Sequence, residues 1–358
     1  MTLDDEFRDE LLARDARLLR GRTLAILAVI RALDSRIRDL AEALAKEPGS
    51  FARLREYAVL RDAAVTELAR FSALTAAAID RAETVNIEAA LEESRALVED
   101  RLPAGITLSV LGLPWREPSA LEVLSGRLAD GTPLNRYLAA RIVRGTMADV
   151  RETLREGITD NPRVTARALR TAFAGGMSQA LRITRTETLR SYRDSARASY
   201  AANPRLVRGY RRHSAHDSRV CVACLLLDGV LYASESDGEW HPNDRCYLSP
   251  ELVSWQELGI VGVPEEPLEV SGRERFLELA EPEQRAIVRN DRQYELLRSG
   301  QIGLGDLIQR RVHPDFGASL TQASARASLA GEGTLSRLPS LTVIEEMGSL
   351  VNRTAEAA

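Results

Sequence analysis

Apolar residues recur at spacings of three and four along the first hundred positions. Ile26, Ile30, Leu33, Ile37, Leu40 and Leu44 fall 4, 3, 4, 3 and 4 apart. That rhythm puts them on one stripe of a helix, a coiled-coil-like seam. "KEPGS" (Lys46 to Ser50) ends the helix, since proline brings no amide and glycine favours a turn. A second helical run is predicted from about Phe51 to Asp100, with Leu54, Ala58, Val65 and Leu68 on one face. Together the two runs predict an αα-hairpin arm over 1–101. The seam suits a helix packed on its hairpin partner, and it suits a docking arm for another subunit; the pattern does not separate them.

Further on the pattern changes twice. "LPAGITLSVLGLPWREPS" (Leu102 to Ser119) carries three prolines and two glycines, so 102–119 reads as a linker or irregular loop. Two or three helices are predicted from Ala120 to about Glu156, then a turn at "EGITDNPR", with Thr159 or Asp160 as a cap. Another turn at Gly175 and Gly176 should lead into a long helix that ends near Asn203 and Pro204. The period then shortens: "RLVRGYRRHSA" (Arg205 to Ala215) and "GVLY" (Gly229 to Tyr232) read as strands. Beyond Pro250, "ERFLELAEPEQRAIVRNDRQYELLRSGQIGLGDLIQRRV" predicts two or three short helices. The Ala/Ser/Gly-rich last forty residues read as a loosely ordered tail. The fold class is therefore mainly α, with a small α+β region around the short strands. Its segments are 1–101, 102–119, 120–250 and 251–358.

Composition sharpens this only in places. Hydrophobic residues make up 44% of the 358 and charged residues 28%, ordinary values for a folded chain with a core. The acidic, amphipathic start lacks the basic-then-apolar order of a secretion signal, and "LAILAVI" (Leu24 to Ile30) is too short to span a bilayer. The expectation is a soluble protein in a reducing compartment, with no membrane partner. Lys46 is the sole lysine, so positive charge is almost all arginine. From Arg141 to Arg219 there are 17 arginines against 7 acids, in a chain of net charge −4. Such a basic segment is the footprint of a surface that meets phosphate, and equally of a helix face in salt bridges with an acidic remainder. On the long helix Arg182, Arg185, Arg193 and Arg197 are the candidate contacts to double-stranded DNA, sequence-independent and salt-sensitive. Glu187 reads as the ion-pair partner of a neighbouring arginine, with no second carboxylate to make it a catalytic acid.

All three cysteines fall in "CVACLLLDGVLYASESDGEWHPNDRC". Cys221 and Cys224 form a C-x-x-C pair, and His241 and Cys246 follow. A C-x-x-C turn presents two thiolates side by side, and a second pair from a loop completes a tetrahedral zinc shell. Three sulfurs and one imidazole leave no open position, so the predicted Zn2+ is structural and the knuckle spans 205–250. The alternatives are three buried free thiols beside a satisfied histidine, and a redox pair, which lacks its strand-to-helix setting here. His213 and His216 read as surface histidines.

In order and spacing, "RITRTETLRSYRDSARASY", "GYRRHSAHDSRVCVACLLLDGVLY" and "HPNDRCYLSP" resemble the phage head morphogenesis domain, the Mu F-like minor head proteins of tailed phages. The resemblance covers about Leu154 to Pro250. Its signature falls on Arg185, Thr186 and Glu187, then Asp217, Arg219, Cys221 and Cys224, then Asp228 and Gly229, and finally His241, Pro242, Arg245 and Cys246. Asp244 stands where the family usually has the first of two closing cysteines. The resemblance implies a virion protein and no enzyme. It would sit at the portal vertex of the head, after assembly in the host cytoplasm. Its role would be head assembly and DNA packaging or ejection. Its partners would be the portal protein, and the major capsid or scaffold protein. Two rivals belong to other classes: a zinc-containing nuclease, which needs an open metal position, and a prophage-derived toxin carrying the head module, for which the C-terminal region shows no nucleophile–base pair.

Overall fold

In this computed structural model the described residues are 50–119, 145–150, 162–216, 219–234, 238, 240–264, 271–313 and 317–331, with isolated positions at 13, 14, 17, 31, 35, 39, 152 and 153. The predicted seam from Ile26 to Leu44, the turn at 156–161 and the tail beyond 331 lie outside them. Helix α1 runs Ser50–Arg101 and α2 runs Pro162–Ala201. Residues 145–150 are helical as well. Pro162 opens α2, where its missing amide has no intrahelical partner to lose. The turn expected at Gly175 and Gly176 does not form, and α2 runs straight through both. Each glycine costs only about 1 kcal/mol relative to alanine, and the flanking alanine and leucine favour helix.

Two compact units partition the chain: Met1–Leu12 with Ile87–Val123 and Tyr192–Ala358, and Ala13–Asn86 with Leu124–Ser191. In the second unit Glu187 is buried and its carboxylate lies 3.7 Å from Arg190, the structural pairing its sequence context suggests. On α1, Val59 and Val65 are exposed at 60% and 42%.

Within the first unit the end of α2 turns directly into a sheet. Strands β1 (Val207–His213), β2 (Leu231–Ala233) and β3 (Tyr247–Leu252) pair antiparallel in the order β2-β1-β3, and helix α3 (Val222–Leu226) sits between β1 and β2 in sequence. Tyr210 faces Tyr232 across one ladder, and Arg212 faces Leu248 across the other. At Gly209 a side chain would collide with the Tyr232 carbonyl, which is why the close β1–β2 approach needs glycine there. Segment 102–119 is irregular, as its prolines and glycines require, but it is packed rather than free. Leu102, Leu108 and Leu113 join Val98, Ala196, Tyr200, Tyr210 and Trp255 in one core. Asn203 at the end of α2 ties this segment down. Its amide donates to the Arg116 carbonyl and its oxygen accepts from the Arg116 amide, both at 2.8 Å.

A second core is built on α3, whose five residues are all buried. Against it pack Phe276 from α4 (Gly272–Glu278), Val288 from α5 (Glu281–Val288), Tyr294 from α6 (Asp291–Arg298), and Ile308 and Leu320. Ser271 starts α4 with a reciprocal capping box to Glu274, and Arg289 ends α5 in the left-handed region at φ 55°. The three short helices match expectation. The stretch after them does not: β4 (Ile308–His313) and β5 (Gly317–Gln322) form a hairpin where helix was expected, followed by α7 (Ala325–Leu329). Ile308 and Leu320 fill the second core from this hairpin, so tertiary burial decides between helix and strand here. The fold is thus mixed and helix-rich. Among the described residues no helix is long and apolar enough to cross a membrane.

The contact between α3 and α4 is close enough to require Gly272. Its amide donates to the Asp228 carbonyl at 3.0 Å, and a Cβ there would overlap the Leu225 carbonyl. The Leu225 carbonyl is backbone and cannot swing aside. Gly272→Ala should therefore lower stability by about 1–3 kcal/mol or more. Urea unfolding of the full chain checks this; a change of less than about 0.5 kcal/mol would mean that α3 and α4 part freely to admit the methyl group.

Candidate metal centre

The C-x-x-C segment is local in origin. Cys221 is the N-cap of α3, with extended backbone (φ −91°, ψ 156°), and its sulfur accepts from the Cys224 amide at 3.2 Å. A sulfur replaces the usual cap oxygen, and the two thiols end up side by side at one helix start. His241 arrives from the loop before β3. Pro242 follows it, Asn243 takes φ 62°, and the Asp244 amide donates to the His241 carbonyl at 3.2 Å. Proline second and a left-handed asparagine third is the residue order of a type II turn. "HPND" is therefore a turn that fixes the imidazole at its first position.

The ring orientation follows from one contact. His241 Nδ1 lies 2.9 Å from the Pro242 carbonyl. A carbonyl only accepts, so Nδ1 carries a proton and Nε2 points at the sulfurs. Nε2 is 3.1 Å from Cys221 Sγ and 2.9 Å from Cys224 Sγ. The ligating atoms of Cys221, Cys224 and His241 all lie within 4.8 Å of one another, a group able to hold a metal ion. The fourth predicted ligand, Cys246, is not in that compact set. It is buried just before β3 and hydrogen-bonds with Cys224.

Electrostatics make the cluster an acid–base network in the absence of an ion. The hydrogen bond from Cys224, with help from His241, holds the Cys221 thiol down at about 4. Burial pulls His241 down, but the Cys221 thiolate outweighs it and raises the imidazole to about 9. Cys224 keeps its proton because it donates to Cys221 and Cys246, and burial adds to this. Cys246 is held low by the hydrogen bond from Cys224 and the charge of Arg212. Sulfur and nitrogen donors at one point, with thiolate character favoured at Cys221 and Cys246, are the donor set zinc prefers.

Around the cluster sit residues the cysteine spacing did not reveal. Arg212 of β1 is fully buried, and its Nη2 lies 3.7 Å from Cys224 Sγ and 3.6 Å from Cys246 Sγ. Arg193 of α2 donates from Nη1 to Asp244 at 2.6 Å and to the Cys246 carbonyl at 3.2 Å. Both guanidiniums lie over the Trp240 ring, at 4.4 Å and 4.3 Å from its centroid.

Several single-residue expectations change. Arg193 is 2% exposed and paired with Asp244, so it does not offer its charge to a phosphate. Arg182 is exposed, Arg185 is half-buried, and Arg197 is half-buried beside Asp194 at 3.3 Å. Neither His213 nor His216 is a surface histidine. His213 is buried, hydrogen-bonded to Ser249 at 2.6 Å and stacked on Tyr247. His216 pairs with the buried Asp228 carboxylate at 2.6 Å, from a backbone at φ 46°. The alternation in "RLVRGYRRHSA" correctly marked a strand; the same alternation hid that both of its faces are covered. No family model, curated protein or solved structure matches this chain.

Proposed function

We propose that this chain is a structural minor head protein of a tailed phage or prophage. It acts in head assembly and in DNA packaging or delivery beside the portal. Cys221, Cys224, His241 and Cys246 hold a structural zinc. The observation that carries the reading is the meeting of Cys221, Cys224 and His241 at the start of α3, on the residues that carry the family resemblance. Bound zinc would supply coordination rather than reaction: it would cross-link α3 to the loop that ends in β3. Asp244, at the place of the family's missing cysteine, accepts from Arg193 at 2.6 Å through Oδ1.

The DNA side of the proposal rests on the arginine excess of 141–219, with Arg182 its most exposed candidate on α2. Binding to duplex of unrelated sequences should be equal and should weaken steeply with salt, as phosphate contacts do. Co-expression with a portal protein of a tailed phage tests the assembly role. A stable complex on size exclusion, and no cleavage of plasmid with magnesium, manganese or zinc added, is expected. Reproducible cleavage that disappears in His241→Ala, with the fold intact, would overturn the structural reading in favour of a nuclease.

A further inference from the structure

The compact set leaves Cys246 outside, yet burying a third thiol and a full guanidinium together needs a reason. Two cations are buried at this place, Arg193 and Arg212, 2% and 0% exposed. Among the described residues one carboxylate, Asp244, is buried with them, and its Oδ1 accepts from Arg193. Among the described residues, Arg212 has no carboxylate in hydrogen-bond contact. Its partners are the Gly238 carbonyl and the sulfurs of Cys224 and Cys246. A buried, unpaired guanidinium is strongly disfavoured. A divalent ion held by three thiolates and one neutral imidazole leaves one net negative charge. Arg212 faces that charge through the sulfurs of Cys224 and Cys246; with only two thiolates the centre would be neutral.

We propose that Arg212 is the positioning residue of the metal centre, donating from Nη2 to the sulfurs of both Cys224 and Cys246 and thereby completing a three-thiolate, one-imidazole shell. The inference rests on the zinc reading above and adds which groups set its composition. Nη2 carries two hydrogens, one for each sulfur, and Nη1 is anchored on the Gly238 carbonyl at 3.1 Å. The planar fork is therefore fixed in direction before any ion arrives. Trp240, one residue before the ligand His241, lies against the same guanidinium, so the loop that brings the histidine is held by the residue that holds the sulfurs. Ligand-orienting groups of this kind are the outer half of a metal site.

The full chain tests this. Zinc content is measured on the purified wild type, and zinc affinity by competition with a chromophoric chelator on wild type, Arg212→Met and Arg212→Lys. The same three proteins are then loaded with cobalt(II), and the thiolate-to-metal charge-transfer band is recorded. Arg212→Met should bind zinc about 10–100-fold more weakly, the usual cost of losing an outer-shell partner. Its charge-transfer band should be weaker per bound ion and move to longer wavelength, since a thiolate stripped of hydrogen bonds gives up electrons more easily. Arg212→Lys keeps the charge but not the anchored fork, and should fall between the two. A zinc-binding wild type whose affinity and band are unchanged in both variants would overturn the role of Arg212 and leave the zinc reading standing. A wild type that binds no zinc would remove both. Should Arg212→Met fail to fold, the lysine variant decides alone: wild-type affinity and band overturn the proposal, weaker binding with a shifted band supports it.

Discussion

Cys221→Ser should empty the metal centre and destabilise the protein by several kcal/mol, on the scale of losing a structural metal. Cys221 has two jobs that serine cannot both do. Its sulfur caps α3 by accepting the Cys224 amide, and it stands within ligand distance of His241 Nε2. A serine oxygen can still cap the helix. It is a hard, poorly ionised donor, so it does not replace a thiolate on a borderline-soft ion. The cap should survive and the cross-link should not. The loss should stay below the ~10–16 kcal/mol that metal binding brings to zinc-finger peptides, because α3 is also held by five buried residues in a core reaching to Leu320. Elemental analysis should find close to one zinc per wild-type chain and almost none in Cys221→Ser. Thermal unfolding of the variant should match that of wild type stripped by a strong chelator. A wild type free of zinc, or a variant as stable as wild type, would defeat the assignment.

What the sequence made legible here divides by the range of the interaction. Helix α1, the part of α2 after Gly176 and the strands at 207 and 231 follow from local rules: periodicity, and the proline and glycine breaks that bound each run. Cys221, Cys224 and His241 were legible for the same reason, since metal-ligand spacing is itself a local pattern. The β4–β5 hairpin was not. "IQRRV" and "GASLTQ" are short and compositionally neutral, and their pairing is decided by where Ile308 and Leu320 find a core. "HPDFG" between them was the one available turn signal. Nor could a pattern of charges tell Arg193 from Arg182. Both are arginines on one long helix; one meets a carboxylate 51 residues further on, and the other is exposed. Arg212 was invisible for the same reason. Its partners come from three separate segments, and no spacing rule joins a strand arginine to cysteines 12 and 34 residues away.

Arg193→Met should destabilise the protein by about 3–5 kcal/mol, the cost of breaking a buried ion pair from one side. Both side chains are 2% exposed, so solvent cannot take over either charge. Asp244 would lose its ion-pair partner, and its Oδ2 already has no hydrogen-bond partner. The Cys246 carbonyl would lose its guanidinium donor, and the Trp240 ring one of its two cations. Asp244→Asn should cost less, because the amide oxygen can still accept from Arg193 and no bare anion is left behind. Replacing both residues by apolar side chains of similar volume should recover much of the loss, as removing a whole buried pair often does. Urea unfolding of the three variants checks that order. The same proteins also separate structure from DNA contact. A phosphate-binding arginine lowers the salt dependence of binding by about one unit of slope when it is removed. Arg193→Met should leave that slope unchanged in whatever fraction stays folded, whereas Arg182→Ala should reduce it with little effect on stability. A reduced slope in Arg193→Met would mean that this side chain leaves Asp244 to meet DNA, and the buried pair would then be a resting arrangement rather than a fixed part of the fold.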